Sequence, residues 1–434
     1  MITTTTLRNL ITSGMTWAAL TTGGLAAEPE FALHDGDRVV LLGDSITEQK
    51  LYTSYLEAYT LTRFPKQKFS FFGRGWGGDT AWLRMRSFPD EKALHAAEGD
   101  AQQKLIEASV DDPLNRDVVA VKPTLVMINF GMNDHNYEPF REDIFKTYIR
   151  SQTHLVKTLT KNGARVVLLT PQPIENRSGN PSADARNRSL DKFAAGLKEV
   201  AAKEGATFVN QFDPYMAIMQ REHALDVNAC IGGGDEVHPA PVGHTLMASI
   251  ILQQLNAPAL VSSASFDVAA DQSVKLVSAA KCAVTNVKFQ KNKLSFERAD
   301  ECLPMPVDER AMAALKLAPL LDDLNRYELK VTGLPADRYD IMIDGGLATT
   351  LTKQELAKGW NLAVSAGPIS TQARDVLALI IKKGPVVQTL WEAEIHGRNN
   401  DIPGLKKQRD ELEAQITAAC QPKPHQFVIK PAGE

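Results

Sequence analysis

Cysteine is scarce in this chain of 434 residues. Only Cys230, Cys282, Cys302 and Cys420 are present, and no two of them stand in a C-x-x-C spacing. Without that spacing a structural zinc site is not expected. Four cysteines in an exported chain permit two disulfides and three pairings. Cys282 with Cys302 is the favoured pair, because the two flank one short predicted hairpin region. Basic runs are also missing. Lys and Arg number 48 against 52 Asp and Glu, for a net charge of −4, which argues against a phosphate-reading surface and so against nucleic acid as a partner. Beyond the first residues, no stretch approaches the ~20 apolar residues of a membrane helix. There is no internal repeat and no low-complexity linker.

What is present is the composition of a soluble globular protein, 44% hydrophobic and 23% charged, long enough for a main domain with additions. Met1 to Ala27 contains one charged residue, Arg8, and ends in Gly24-Leu25-Ala26-Ala27. The expectation is a secretory signal cut near Ala26 or Ala27, and hence a secreted or periplasmic protein.

Five short apolar runs read as buried parallel strands: Arg38–Leu42, Lys68–Phe72, Thr124–Phe130, Arg165–Thr170 and Ala206–Asn210. Helical patterns lie between them. Leu51, Tyr55, Leu56 and Tyr59 share one face; Ile144, Tyr148, Leu155 and Leu159 share another; Asp184–Glu204 and Val242–Leu255 are further helices. Alternating strand and helix implies a parallel sheet covered on both faces, over residues 28–258. From about residue 259 to 368 the pattern becomes short strands, at Phe266–Val277, Ala283–Phe289, Lys293–Phe296, Tyr327–Val331 and Tyr339–Ile343. Residues 369–434 read as a helical segment, in which Leu405–Cys420 is strongly helical and is ended by Pro422 and Pro424.

Four blocks carry chemistry, in this order. Gly43-Asp44-Ser45 follows the first strand, where an open parallel sheet binds ligands, and the start of a helix there favours a developing negative charge. Gly73-Arg74-Gly75-Trp76-Gly77-Gly78-Asp79-Thr80 follows the second strand, and its glycines let backbone N–H groups approach a ligand. Its G-x-G-x-x-G is not read as a dinucleotide fingerprint, which belongs after the first strand. Gly131-Met132-Asn133-Asp134 follows the third strand and offers a side-chain amide to an oxyanion. Asp235-Glu236-Val237-His238-Pro239 precedes the closing helix and supplies an imidazole base with a carboxylate to fix its tautomer. His95, His135, His154, His223 and His396 read as packing or surface residues.

Over roughly Asp37 to Leu255 these blocks resemble the four signature blocks of the SGNH hydrolases, the GDSL esterase/lipase family. The resemblance implies a flavodoxin-like three-layer α/β/α sandwich with a five-stranded parallel sheet in the order 2-1-3-4-5. It implies Ser45 as nucleophile, His238 as base and Asp235 as its partner, with the N–H groups of Ser45 and Gly78 and the Asn133 amide as oxyanion hole. It also implies acyl transfer without metal or cofactor. Gly73 departs from the Asn that often opens the second block. Trp76, Arg74 and Tyr137, with Arg84, Asn136 and Gly232-Gly233-Gly234 nearby, suit a sugar better than a lipid. The expected substrate is an acetylated polysaccharide. A lipolytic or short-chain acyl esterase or thioesterase is the alternative, and an inactive carbohydrate-binding protein the competing class.

Overall fold

The computed structural model describes residues 30–433 except 177–179 and 398–400. The expected signal segment, 1–27, lies outside the described residues. Residues Phe31–Glu434 form one unit. The apolar runs form β1 (Arg38–Gly43), β2 (Ser70–Gly75), β3 (Leu125–Asn129), β4 (Arg165–Leu169) and β5 (Thr207–Val209). Their order is β2-β1-β3-β4-β5, and every pairing is parallel.

These runs are apolar at consecutive positions because both faces are buried. Val39, Leu41, Leu125, Met127, Val167 and Leu169 enter one core, while Val40, Leu42, Val126, Ile128, Val166 and Leu168 enter the other. The helices are α1 (Ser45–Glu48), α2 (Leu51–Arg63), α3 (Arg84–Ser87), α4 (Gly99–Asp117), α5 (Glu142–Lys161), α6 (Pro181–Glu204), α7 (Pro241–Gln254), α8 (Pro368–His396) and α9 (Ile402–Ala419). Tyr52, Tyr55 and Tyr59 of α2, Leu246 and Ile251 of α7, and Val376 and Ile380 of α8 close the first core. Ile106 and Val110 of α4, Tyr148 and Leu155 of α5, and Phe193 and Leu197 of α6 close the second. No described helix is long and apolar enough to cross a membrane.

The β-rich part contains two sheets. One runs Trp360–Asn361, Arg326–Thr332, Leu260–Val268, Val274–Ala280; the other runs Gly346–Thr352, Arg338–Ile343, His425–Pro431, Lys293–Asp300, Cys282–Gln290. Phe266, Leu329, Phe296, Ile341, Phe427 and Ile429 join the two into one core. The stretch expected as a single strand, Phe266–Val277, is a hairpin instead. Its turn closes through Ala269 N–H to Ser273 O (2.9 Å), with the Asp271 carboxylate accepting the Ser273 N–H (2.9 Å).

The C-terminal segment also departs from expectation. It is not helical throughout: His425–Pro431 is a central strand, paired on both sides. Nor does it stand apart, since α8 is buried in the core of the parallel-sheet domain. The Cys282–Cys302 disulfide is not formed, and no disulfide joins any of the four cysteines. Cys282 lies opposite Asp300 and Cys302 falls past the strand end. Each thiol donates to its own carbonyl, Ser263 O (3.3 Å) and Val261 O (3.4 Å).

Candidate active site

Gly43 ends β1, and the chain turns at once into α1. Asp44 caps that helix, its Oδ1 accepting the Ile46 N–H at 3.0 Å, so Ser45 takes the first helical position. N–H groups of a first turn have no intrahelical partner and face any anion placed there. The turn is pressed onto β2: a Cβ at Gly75 would stand 2.6 Å from the Thr47 carbonyl carbon and 2.7 Å from Glu48 Cα. Any side chain at Gly75 would push the serine out of place. Asp44 is buried, and burial, with Asp134 and Asp79 nearby, pushes its carboxyl up to about 8 against the pull of the Ile46 N–H.

The loop before α7 brings an imidazole to this serine. Ser45 Oγ and His238 Nε2 are 2.9 Å apart, and His238 Nδ1 lies 3.1 Å from Asp235 Oδ2. The other carboxylate oxygen, Oδ1, accepts the N–H groups of Val237 (2.7 Å) and His238 (2.6 Å), which fixes Asp235 on the loop. Partial burial raises the Asp235 carboxyl, but these N–H groups and the imidazole outweigh it and hold it below the usual carboxylate value. An ionised carboxylate at Nδ1 keeps the proton there, leaving Nε2 as acceptor toward the serine hydroxyl. The site is open: the side chains of His238 and Asp235 are 35% and 66% exposed.

Asn133 and Gly78 stand on the loops that follow the third and second strands, and a Cβ built at the neighbouring Gly77 would lie 4.0 Å from Ser45 Cβ. The Asn133 amide donates to Asp79 O at 3.0 Å, and its Oδ1 accepts the Tyr137 hydroxyl at 2.8 Å. With Oδ1 held by a donor, the NH2 end is fixed toward the glycine loop, and its second N–H remains for a ligand. Asn136 and Tyr137 both have positive φ (53° and 58°), a costly backbone for non-glycine residues that marks functional loops. Gly78 has φ +76°, which a side chain would strain, and its carbonyl accepts Arg84 Nε at 2.7 Å. Asp134 clamps the two loops together, accepting the N–H groups of Ala81 and Gly131, each at 2.8 Å. Burial pushes its carboxyl up to about 7.

The sequence-predicted residues divide. Ser45, His238 and Asp235 are joined by hydrogen bonds, and Asn133 is joined to the glycine loop that carries Gly78. Tyr137 is there, but its hydroxyl serves Asn133. Trp76 is half-buried and meets Trp391 edge-on, ring centres 5.6 Å apart. Arg74 as a substrate contact is corrected. It is 5% exposed, donates to Asp117 O (2.7 Å) and Gly73 O (2.9 Å), and lies over Phe72 and Trp391. It is spent on the scaffold.

Several supporting residues escaped the sequence reading. His244 is buried, accepts the Tyr52 N–H at Nδ1 (3.3 Å) and meets Gln49 Oε1 at 2.6 Å through Nε2. Burial pushes it down to about 3, so it is neutral and structural. Gln172 donates to Val237 O (3.0 Å), and Glu175 accepts the Gly232 N–H (2.7 Å), so both brace the histidine loop. Behind the glycine loop Arg86 bridges Asp79 (2.7 Å) and Asp117 (3.0 Å), all three side chains fully buried.

Residues 41–246 match the family model described as GDSL-like Lipase/Acylhydrolase. No curated protein sequence matches significantly. Among solved structures, one described as a gut microbial diltiazem-metabolizing enzyme superposes with a TM-score of 0.76 at 24% identity, over 93% of this chain and 99% of that one. An acetylxylan esterase from Geobacillus stearothermophilus matches with a TM-score of 0.38 at 21% identity, over 51% of this chain and 94% of that one. With this family match, and a five-stranded parallel sheet in the order β2-β1-β3-β4-β5 beneath it, residues 41–246 are a domain of the GDSL-like lipase/acylhydrolase family.

Proposed function

We propose that Ser45 is the nucleophile of a serine esterase acting on acetylated carbohydrate. The carrying observation is the unbroken hydrogen-bond series from Ser45 Oγ through His238 to Asp235, at 2.9 and 3.1 Å. His238 Nε2 accepts the hydroxyl proton as Ser45 Oγ bonds to the ester carbonyl carbon. The resulting imidazolium is stabilised by Asp235. The oxyanion is received by the N–H groups of Ser45 and Gly78 and by the Asn133 amide, each donor worth about 3–4 kcal/mol in the transition state. His238 then returns the proton to the departing alcohol oxygen. Water, deprotonated by the same imidazole, releases the acid and restores Ser45.

The openness of the His238–Asp235 side favours a short acyl group on a bulky, hydrophilic alcohol. A long acyl chain gains about 0.8 kcal/mol per buried CH2 only where an apolar wall receives it. Here the exposed rim beyond His238 is polar, with Glu236 paired to Arg186 at 3.0 Å. The test is acetate release from acetylated oligosaccharides, beside a panel of p-nitrophenyl esters of rising chain length, for wild type and Ser45→Ala. Acetate release lost in Ser45→Ala, with activity falling as the acyl chain lengthens, is the expected result. Activity on long-chain esters alone would overturn the carbohydrate reading.

A further inference from the structure

The glycine loop and the nucleophile turn are both touched by a helix that lies outside residues 41–246. Helix α8 reaches them with two side chains one turn apart, Gln388 and Trp391. Gln388 Oε1 accepts Lys50 Nζ at 2.7 Å, and the same ammonium donates to Glu48 O at 3.1 Å, at the end of the helix that Ser45 begins. Deeper in the domain, Lys383 of α8 pairs with the buried Glu57 of α2 at 2.5 Å. Trp391 is 4% exposed and packs behind the glycine loop, against Trp76. The Arg74 guanidinium lies 4.9 Å over its ring, and the Arg86 guanidinium lies 5.5 Å from it and 5.7 Å from Trp76. Arg86 Nε in turn holds the Asp79 carboxylate, and the Asp79 carbonyl accepts the Asn133 amide.

We propose that α8 braces the nucleophile turn and the glycine loop from behind and that Trp391 is a positioning residue, holding Arg86 and Trp76 so that Gly78 and Asn133 keep their aim at the oxyanion. This inference rests on the esterase reading. A guanidinium lying against two touching indoles is restrained by their rings, because a buried cation is attracted to the π-system and has no water to turn toward. The Trp391 Nε1–H has no hydrogen-bond partner among the described residues. The ring face, not the indole N–H, therefore does the holding, and another aromatic ring can replace it. Arg86 has three acceptors: Asp79 at Nε, Asp117 at Nη1 and the Arg74 carbonyl at Nη2 (2.8 Å). Without the ring it can shift toward Asp117 and the Arg74 carbonyl and release Asp79, and the peptides around Gly78 move with it.

The experiment compares Trp391→Phe, Trp391→Leu and Trp391→Ala with Ile416→Ala in the full-length chain. Ile416 is buried in α9 and serves as a control for loss of stability. Hydrolysis of p-nitrophenyl acetate and Tm are measured for each, with Ser45→Ala alongside. Trp391→Ala should lower kcat by roughly tenfold or more with KM moved less than about threefold, since donors aimed at the transition state are disturbed and ground-state binding is not. Trp391→Phe should stay within about threefold of wild type, and Ile416→Ala should keep its kcat well below its Tm. Should the alanine variant not fold, Trp391→Leu carries the same expectation, because it keeps apolar volume without a π-face. Wild-type kcat in folded Trp391→Ala or Trp391→Leu would overturn the positioning role, as would an equal loss in Ile416→Ala or in Trp391→Phe. A wild-type chain without Ser45-dependent hydrolysis would overturn the esterase reading, and this inference with it.

Discussion

Tyr137→Phe removes one hydroxyl and isolates the value of amide orientation at the oxyanion site. The lost group donates to Asn133 Oδ1 at 2.8 Å, and Asn133 itself is 5% exposed. A hydrogen bond of this kind contributes about 1 kcal/mol net. If that energy is what holds the amide in its productive orientation, kcat/KM should fall about fivefold, because 1.4 kcal/mol corresponds to tenfold. Asn133→Ala removes the donor altogether and should cost about 10²–10³-fold. Tyr137 is 36% exposed, so its substitution should leave Tm nearly unchanged. The double variant separates the two effects: once Asn133 is alanine, the further loss from Tyr137→Phe should vanish. Hydrolysis of p-nitrophenyl acetate and a thermal melt are enough to read all four proteins. Unchanged kcat/KM in Tyr137→Phe, or a fivefold loss that persists in the Asn133→Ala background, would refute the reasoning.

Asp235→Asn should reduce kcat between about 10² and 10⁴-fold, because an amide NH2 facing Nδ1 turns the imidazole to the wrong tautomer. Oδ1 of the asparagine can still take the Val237 and His238 N–H groups, so stability should hold; a kcat within tenfold of wild type would count against the role of Asp235. Asp134→Asn tests the buried carboxyl that joins the two oxyanion loops. Burial raises its folded value to about 7, above the 3.8 of the free group, so the contribution of Asp134 to stability falls as pH rises from about 4 through 7. The variant lacks this titration and should gain on wild type between pH 5 and 7, by up to roughly 1 kcal/mol per unit in urea melts; a steeper loss in the variant would contradict it. With no disulfide present, dithiothreitol should leave Tm unchanged, and all four thiols should react in denaturant without prior reduction; only two reactive thiols would show a bridge.

The parallel sheet was legible because burial on both faces forces consecutive apolar residues, as in Val39 to Leu42. The first three blocks were legible because each follows a strand end, where a loop must carry polar groups, and the fourth because it precedes the closing helix. Arg74 was misread for a local reason. The predicted strand stopped at Phe72, whereas β2 runs on to Gly75 and pairs Arg74 with Leu42, burying its side chain. The last strand was hidden behind Pro422 and Pro424, which read as an ending, although its alternating buried positions from His425 to Pro431 carry a strand pattern. The expected Cys282–Cys302 bridge failed because proximity in a hairpin does not fix the direction of two thiols, which here take separate carbonyls. Trp391 left no signal at all. More than 300 residues separate it from the loop it packs on, and no local pattern joins an aromatic in a late helix to an early glycine loop.

The central claim is that Ser45 is a nucleophile activated by His238. It is tested most directly by treating the purified protein with a fluorophosphonate and locating the adduct by mass spectrometry. The account predicts one adduct, on the peptide containing Ser45, formed at the rate at which esterase activity disappears, and greatly slowed in His238→Ala. Complete inactivation with Ser45 unmodified, or full esterase activity in Ser45→Ala, would contradict it.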